Sequence, residues 1–246
     1  AGLVLTAEYS DLWKEDKKTE TNEVMFALQH SAKHKIASNY GKSYYPSDYS
    51  PNAGWADYYG NEDFFKAYPN DDRKEWNYMT EWKIKSGEII PYTESADKLP
   101  AISKYYDYDE GAPGKSAQSN GITCIYRYAE VLLMYAEAST RATNSVNQDA
   151  LNAIQEVQKR AGYQDRQIEL TTTTEPTAFL AAVSNERGWE FFAEMKRWFE
   201  LVRLEKVKEV RAEEWDASTF NTNHHYYFPV PYQQVDLAGW TNNAGY

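Results

Sequence analysis

Residues 127–138, Arg-Tyr-Ala-Glu-Val-Leu-Leu-Met-Tyr-Ala-Glu-Ala, are the most informative segment of this chain. Around them, from Tyr126 to about Arg141, apolar side chains recur at the spacing of an amphipathic helix. One face of that helix would carry Ala129, Leu132, Leu133 and Ala136. This spacing predicts a buried helix, and the segments that follow it extend the helical pattern.

A second helix is expected to begin at Asn147, which is a good N-cap, and to stop at Gly162, which suits a left-handed residue just past a helix end. Its inward positions would be Ala150, Ile154 and Val157. The two helices, joined by a short polar turn, would form an antiparallel hairpin.

A third helix is expected after the Thr171–Thr174 linker, with Pro176 in its first turn. Its buried stripe would consist of Phe179, Leu180, Val183, Phe191 and Met195. We expect a break near Lys196, another helical stretch over residues 198–207, and irregular chain over residues 226–246.

The half of the chain before Gly121 has a different composition. Residues 40–108 are crowded with aromatic and turn-forming residues and show almost no helical periodicity, which predicts loops. Two short regular elements are expected: a strand over Glu23–His30 and a helix near Asn61–Ala67 with Asn61 as its N-cap. A region this rich in aromatic residues is not a disordered linker. Its aromatic rings are therefore expected either to pack within the protein or to bind a ligand.

The composition excludes several classes of protein. The formal charge of −11 and pI near 4.9 argue against a nucleic-acid partner, which needs clustered Lys and Arg. No apolar run approaches the roughly 20 residues that cross a bilayer. The single cysteine, Cys124, lies in an apolar run, Ile122–Ile125, and is expected to be a buried free thiol.

Several motifs, in this order along the chain, resemble those of the SusD/RagB family. They are Asn22–Phe26, Asn70–Arg73 with Asp72 where proline is usual, Arg127–Ala138, Ala150–Tyr163, Glu186-Arg187, Glu190-Phe191, Arg197–Arg203 with Glu200 where aspartate is usual, Phe228–Pro231 and Asn242–Tyr246. Members of that family are lipid-anchored outer-membrane proteins of Bacteroidetes that pass glycans, or in some cases peptides, to a TonB-dependent porin.

The resemblance implies a mainly α-helical SusD-like domain with a long aromatic-rich loop insertion and little β structure. Residues 1–125 would be the loop-rich, aromatic segment with a short strand, and residues 126–246 the helical core and irregular tail of the same domain. The chain shows no leader or lipidation cysteine, so it would be cytoplasmic or lack its N-terminus. The resemblance favours a missing N-terminal helical part that carries the anchor, and a SusC-like transporter as partner.

The charged motif residues are expected to pair across helices rather than to catalyse. They are Glu130, Glu137, Arg160, Glu186, Arg187 and Arg203. Charges embedded in apolar helices are normally paired, so these residues would fix helix register.

The loop half supplies the predicted ligand site. Sugar rings stack on flat aromatic side chains, and their hydroxyls bind carboxylate or amide groups. The candidate glycan-binding residues are Trp55, Asp57, Tyr58, Tyr59, Trp76, Asn77, Tyr78 and Trp82. The alternative for each single residue is packing of the loops onto the helices.

Two rival functions remain open at this stage. A glycoside hydrolase would need an acid and a base among Asp57, Glu62, Asp63, Asp71, Asp72 and Glu81. A peptide-binding, RagB-like module would need an apolar or charged groove. No metal or cofactor is expected, because Asp107–Gly111 lacks the remaining ligands of a calcium loop and His224-His225 has no partner at zinc spacing.

Overall fold

A computed structural model describes residues 2–50, 53–106, 119–210 and 225–246 of the chain. The fold is mainly α-helical with little β structure, as predicted. Contacts divide the chain into two compact units, one ending at Glu194 and the other beginning at Met195. The division of one domain into segments 1–125 and 126–246 stays a prediction.

The elements follow one another in this order. Within the described residues the α-helices are α1 (Tyr40–Tyr44), α2 (Glu62–Ala67), α3 (Asp72–Asn77), α4 (Tyr128–Thr143), α5 (Gln148–Arg160), α6 (Pro176–Glu190), α7 (Arg197–Arg203), α8 (Val207–Val210) and α9 (Tyr232–Ala238). The strands are β1 (Val24–Gln29), β2 (Tyr78–Met79), β3 (Glu81–Lys83), β4 (Ile89–Pro91), β5 (Ala101–Ile102) and β6 (Ile122–Arg127).

Helices α4 and α5 confirm the predicted pair. The predicted face of α4 is buried and packs with α5 and α6 around a core that includes Leu133, Ile154 and Phe179. The Asn147 side chain accepts a hydrogen bond from the backbone N–H of Ala150 at 2.8 Å, which caps α5. Gly162 follows the helix at a φ of +83°. The start of α4 is later than expected, because residues 126 and 127 belong to β6.

Helix α6 is the third predicted helix and carries its predicted buried face, but that face does not extend to Met195. Pro176 lies in its first turn, and Phe179 and Phe191 are buried. The expectation that Met195 is buried is wrong, since its side chain is 55% exposed. The helix ends at Glu190, and the positive φ of Met195, 62°, breaks the helical spacing on which that expectation rested.

Strands β1 and β6 form an antiparallel two-stranded sheet, with Phe26 opposite Tyr126. Strand β1 was predicted, but burial does not alternate along it as it would in a regular strand with one buried face: Met25, Phe26 and Leu28 are all exposed. Two register shifts between Val24 and Ala27 explain the difference, since a bulge moves the following side chains to the other face. Cys124, on β6, is a buried free thiol as expected.

The predicted loop region holds more regular structure than expected. Helix α2 and its Asn61 cap are confirmed, with the side-chain oxygen accepting from the Phe64 N–H at 2.9 Å. Helices α1 and α3 and the antiparallel pairs β2–β5 and β3–β4 were not predicted. Strands of two or three residues are too short to show a period, and pairs such as Tyr78 with Ile102 join distant parts of the chain.

The unit from Met195 onward contains α7, α8 and α9. The predicted break near Lys196 is confirmed, because Lys196 is the N-cap of α7. The expectation of an irregular tail is wrong for Tyr232–Ala238, where Pro231 precedes the first turn and Gly239, at a φ of +67°, ends the helix. Asn242 Oδ1 accepts from the Val230 N–H at 2.8 Å, which joins the two terminal motifs.

Candidate functional site

Residues 53–60 form an exposed segment held against α1 by backbone hydrogen bonds. The N–H of Trp55 donates to the carbonyl of Lys42 at 2.7 Å, and the N–H of Asp57 donates to that of Ser43 at 2.9 Å. A Cβ at Gly54 would lie 2.1 Å from the carbonyl oxygen of Tyr45, so only glycine fits at this approach. The segment is therefore fixed by main-chain contacts, which leaves its side chains available.

The side chains of this segment present two aromatic rings to solvent. Trp55 is 51% exposed and Tyr58 is 62% exposed, and Asp57, between them, is exposed as well. The Lys42 ammonium lies 4.9 Å from the centroid of the Trp55 ring, and the Tyr58 ring lies 5.9 Å from that of Tyr44. Each ring is therefore supported by a neighbour, in an arrangement that suits stacking of a flat ligand.

Tyr59 points to an acidic residue that the sequence did not single out. Its hydroxyl donates to Asp97 Oδ2 at 2.6 Å. Burial, then the hydrogen bond to Asp97, and then the charges of Asp97 and Asp48 hold the pKa of Tyr59 well above its usual value. The phenol therefore remains a proton donor. Because 38 residues separate Tyr59 from Asp97, no local pattern could have predicted the pair.

The second group of predicted residues belongs to α3, β2 and β3. Asn77, Tyr78 and Trp82 are buried, and their role in binding stays a prediction. The Trp82 indole N–H donates to Asp48 Oδ1 at 2.8 Å, and the Tyr78 ring lies 4.6 Å from that of Phe192. These contacts are the packing alternative that the sequence left open.

Trp76, the fourth member of this group, is half-buried beside a groove of about 270 Å³. Its indole N–H donates to the carbonyl of Lys104 at 3.2 Å, and the Lys14 ammonium lies 5.6 Å from its ring centroid. The groove is also lined by Glu8, Tyr9, Ser10, Asp72 and Glu75. Trp76 keeps some access to solvent, and its role in binding stays a prediction.

Several carboxylates of the hydrolase alternative already have structural partners. Asp71 caps α3 and pairs with Arg73 at 2.7 Å, and Asp72 pairs with Arg166 at 2.7 Å. Glu62 pairs with Lys66 one turn along α2. Asp57, Asp63 and Glu81 are exposed. Of these six carboxylates, Asp57 belongs to the segment 53–60 that carries the exposed rings.

A buried ion cluster lies at the centre of the first unit. Its carboxylates are Glu23, Asp71, Glu186, Glu190 and Glu194, and its cations are Arg73, Lys104, Arg127 and Arg160. Glu190 contacts three arginines, including Arg127 and Arg160. Burial acts to raise the pKa of Glu190, but Arg160, Arg127 and Arg73 outweigh it and hold that pKa well below its usual value.

This cluster confirms the structural interpretation of the charged motif residues in the first unit. Arg160 Nη1 donates to Glu23 Oε2 at 2.8 Å, and Glu186 accepts from Arg73. Glu130 of α4 pairs with Arg187 of α6 at 3.4 Å, as predicted. Glu137 pairs with Arg141 at 2.8 Å one turn along the same helix, so this pair is within α4 and not between helices. The prediction for Arg203, at the end of α7, remains a prediction.

The described residues contain no group of side chains arranged as a metal site and no helix that could span a membrane. No three His, Cys, Asp or Glu side chains of those residues are grouped as a metal site. Residues 107–111 and His224, named from the sequence as weak metal candidates, lie outside the described residues. In the part of the chain that the structure describes, no helix has the length and apolar character needed to cross a membrane.

The structure defines a mainly α-helical protein built around a buried ion cluster, with an exposed aromatic segment on one of its loops. The profile of the SusD family matches residues 77–246. The chain therefore belongs to the SusD family.

Individual relatives agree with this assignment. SusD-like protein P2 of Formosa agariphila is 25% identical over 99% of this chain and 52% of its own length. A SusD superfamily protein from Parabacteroides distasonis has a TM-score of 0.78 at 23% identity, covering 99% of this chain and 54% of that one. Surface glycan-binding protein A from Bacteroides thetaiotaomicron, solved with laminarihexaose, has a TM-score of 0.72 at 23% identity, covering 98% and 56%. The chain thus spans about half the length of these relatives.

Proposed function

We propose that this protein binds a glycan, without cleaving it, through the exposed segment of Trp55, Asp57, Tyr58 and Tyr59. The observation that carries the proposal is the pair of exposed rings, Trp55 and Tyr58, on a backbone fixed to α1 and flanking a carboxylate. Rings of this kind offer stacking surfaces for the C–H faces of sugars, and Asp57 offers an acceptor for hydroxyls. The relative solved with laminarihexaose supports a glycan as the ligand.

The same geometry sets the expected strength of binding. An aromatic contact adds roughly 0.5–1.5 kcal/mol beyond its buried area, so two rings give weak, reversible binding. We propose that this suits delivery of the glycan to a SusC-like, TonB-dependent transporter at the cell surface, with the whole protein lipid-anchored in the outer membrane. Family membership supports this step.

We further propose that the helical N-terminal part of such a protein packs on α4. The face of α4 opposite its buried stripe is also apolar, with Val131, Met134 and Tyr135 exposed at helical spacing. A helix that is apolar all round is normally buried on both sides. The portion of the relatives that has no counterpart in this chain, nearly half of their length, supplies a covering layer of suitable size.

The test of glycan binding is affinity gel electrophoresis of the purified protein through gels that each contain one soluble polysaccharide. A double variant, Trp55→Ala with Tyr58→Ala, is compared with Tyr135→Ala, which removes an exposed ring on α4. Retardation of the wild type and of Tyr135→Ala, but not of the double variant, is the expected result. If every polysaccharide leaves the wild type unretarded, the ligand is not a glycan, and the peptide alternative is the next to test.

A further inference from the structure

Two exposed carboxylates belong to the aromatic segment or contact it. Asp57 lies within the segment, and Asp97 accepts a hydrogen bond from the Tyr59 hydroxyl at 2.6 Å. Both carboxylates can accept hydrogen bonds from a ligand. The Lys42 ammonium lies beside the same segment, at the Trp55 ring.

Lys42 is already engaged with the ring that it neighbours. Its ammonium lies 4.9 Å from the Trp55 centroid, where the negative face of the indole attracts a cation. This contact lies on one face of the ring, and the Trp55 side chain as a whole is 51% exposed. Lys42 thus supports the stacking surface and is a weak candidate for binding a ligand anion.

Asp97 is positioned by its contact with Tyr59. A carboxylate has two oxygens with about four acceptor positions, and the Tyr59 hydroxyl uses one of them. The exposed remainder of the Asp97 carboxylate can accept from a donor such as a sugar hydroxyl. A sulfate or carboxylate of the ligand brings no proton to donate and repels the same group.

From these contacts we infer that the site selects uncharged glycans, with the carboxylates of Asp57 and Asp97 accepting hydrogen bonds from sugar hydroxyls. The inference rests on the proposed function and adds the chemical class of the glycan. Neutral sugars can stack on the aromatic rings of the segment and can donate hydrogen bonds from their hydroxyls to its carboxylates. Anionic glycans also bring sulfate or carboxylate groups close to the carboxylates of Asp57 and Asp97, and this like-charge repulsion is the element that makes the site specific.

The experiment compares pairs of polymers with the same backbone: laminarin with laminarin sulfate, and dextran with dextran sulfate. Dissociation constants come from affinity gels at low and at physiological salt. We expect at least one neutral polymer to bind about tenfold more tightly than its sulfated form, with little dependence on salt. Tighter binding of a sulfated form, weakened by salt as a charge attraction would be, would overturn the inference.

Variants locate the effect in the carboxylates. Asp97→Asn and Asp57→Asn should each weaken binding of the neutral polymer about fivefold. Each should also reduce the factor by which the neutral polymer binds more tightly than its sulfated form. Asp149→Asn, an exposed change on α5, is the matched control and should leave both unchanged. If both site variants keep the wild-type ratio of affinities for neutral and sulfated polymers, the inferred preference for neutral glycans is contradicted, although glycan binding itself is not. If the wild type binds none of the four polymers, both the proposed glycan binding and the inferred preference for neutral glycans are contradicted. If Trp55→Ala loses binding but Asp97→Asn keeps the wild-type ratio of affinities for neutral and sulfated polymers, only the inferred preference is contradicted.

Discussion

Arg73 and Glu186 lie 113 residues apart in sequence, and the Arg73 Nη1 donates to Glu186 Oε1 at 2.6 Å with both side chains fully buried. Arg73 belongs to α3, in the aromatic half of the chain, and Glu186 to α6, in the helical core. The pair therefore joins α3 to the helical core. The same arginine also binds Asp71 and Glu190, so three buried carboxylates share one guanidinium.

Replacement of Arg73 by Met should be strongly destabilising. Removing the guanidinium leaves buried carboxylates without their cation, a type of change that costs about 3–5 kcal/mol of unfolding free energy. Urea unfolding followed by tryptophan fluorescence measures it. Arg166→Met is the control, because Arg166 pairs with Asp72 and Glu75 at the surface and its loss should change little. Equal stability of the Arg73 variant and the wild type would contradict the structural role of the cluster.

The cluster also predicts how stability changes in acid. Although burial opposes them, neighbouring arginines hold the pKa of Glu190 and of Glu194 below the usual 4.5. Groups whose pKa is lowered by folding stabilise the protein above pH 4.5, and that contribution is lost as the pH falls through the folded-state pKa. Burial raises the pKa of Glu186, which gives an effect of the opposite sign: its contribution to stability is present below pH 4.5 and is lost as the pH rises through its folded-state pKa.

The measurement is the urea unfolding free energy from about pH 6 to about pH 3. We expect a steady fall below pH 4.5 in the wild type and a shallower fall in Glu194→Gln, which has lost one of the two low-pKa carboxylates. An unfolding free energy that stays constant over this range in the wild type would show that neighbouring arginines do not lower the pKa values of Glu190 and Glu194.

Local sequence patterns predicted the helices well, because their signals lie within a few residues. Asn147, Gly162 and the apolar face of α4 act through neighbours three or four positions away. The pairing of β1 with β6 and the cation of Glu186 depend on residues about a hundred positions away, which no period in the sequence reveals. Met195 was wrongly placed in the core for a local reason, since α6 ends at Glu190 and the helical spacing does not reach residue 195.

Cys124 should be an unreactive thiol in the folded protein. Burial, and then the nearby Glu194, raise the pKa of Cys124 to about 12, so hardly any thiolate exists at neutral pH. We expect no reaction with Ellman's reagent at about pH 8 until denaturant is added. A Ser86→Cys variant, with a thiol at an exposed position between β3 and β4, should react at once with one equivalent. Rapid labelling of the wild type would show that β6 opens to solvent.

Gly54→Ala tests whether the backbone positions the aromatic rings. The new Cβ would lie 2.1 Å from the Tyr45 carbonyl oxygen, so the segment must move away from α1. We expect about tenfold weaker glycan binding and a loss of about 1–3 kcal/mol in unfolding free energy. Gly2→Ala is the control, since nothing lies within 4 Å of a Cβ there. Unchanged binding in Gly54→Ala would mean that the segment tolerates displacement.

The sequence located the candidate site only in part. Clusters of aromatic and polar residues pointed to both the segment around Trp55 and that around Trp76, but composition does not separate exposed rings from packed ones. The indole of Trp82 is buried against Asp48, whereas that of Trp55 is exposed beside Lys42. Asp97 joins the site through a hydrogen bond across 38 residues, so it required the fold to be seen.

Isothermal titration of the wild type, Trp55→Ala and Trp55→Phe, with the oligosaccharide of the polymer that binds best in gels, measures the contribution of the Trp55 ring directly. We expect about tenfold weaker binding for Trp55→Ala, because a stacking contact worth about 1.4 kcal/mol is removed. Trp55→Phe, which keeps an aromatic face, should lie between the two. Equal affinity of all three proteins would contradict the claim that the exposed segment around Trp55 is where the glycan binds.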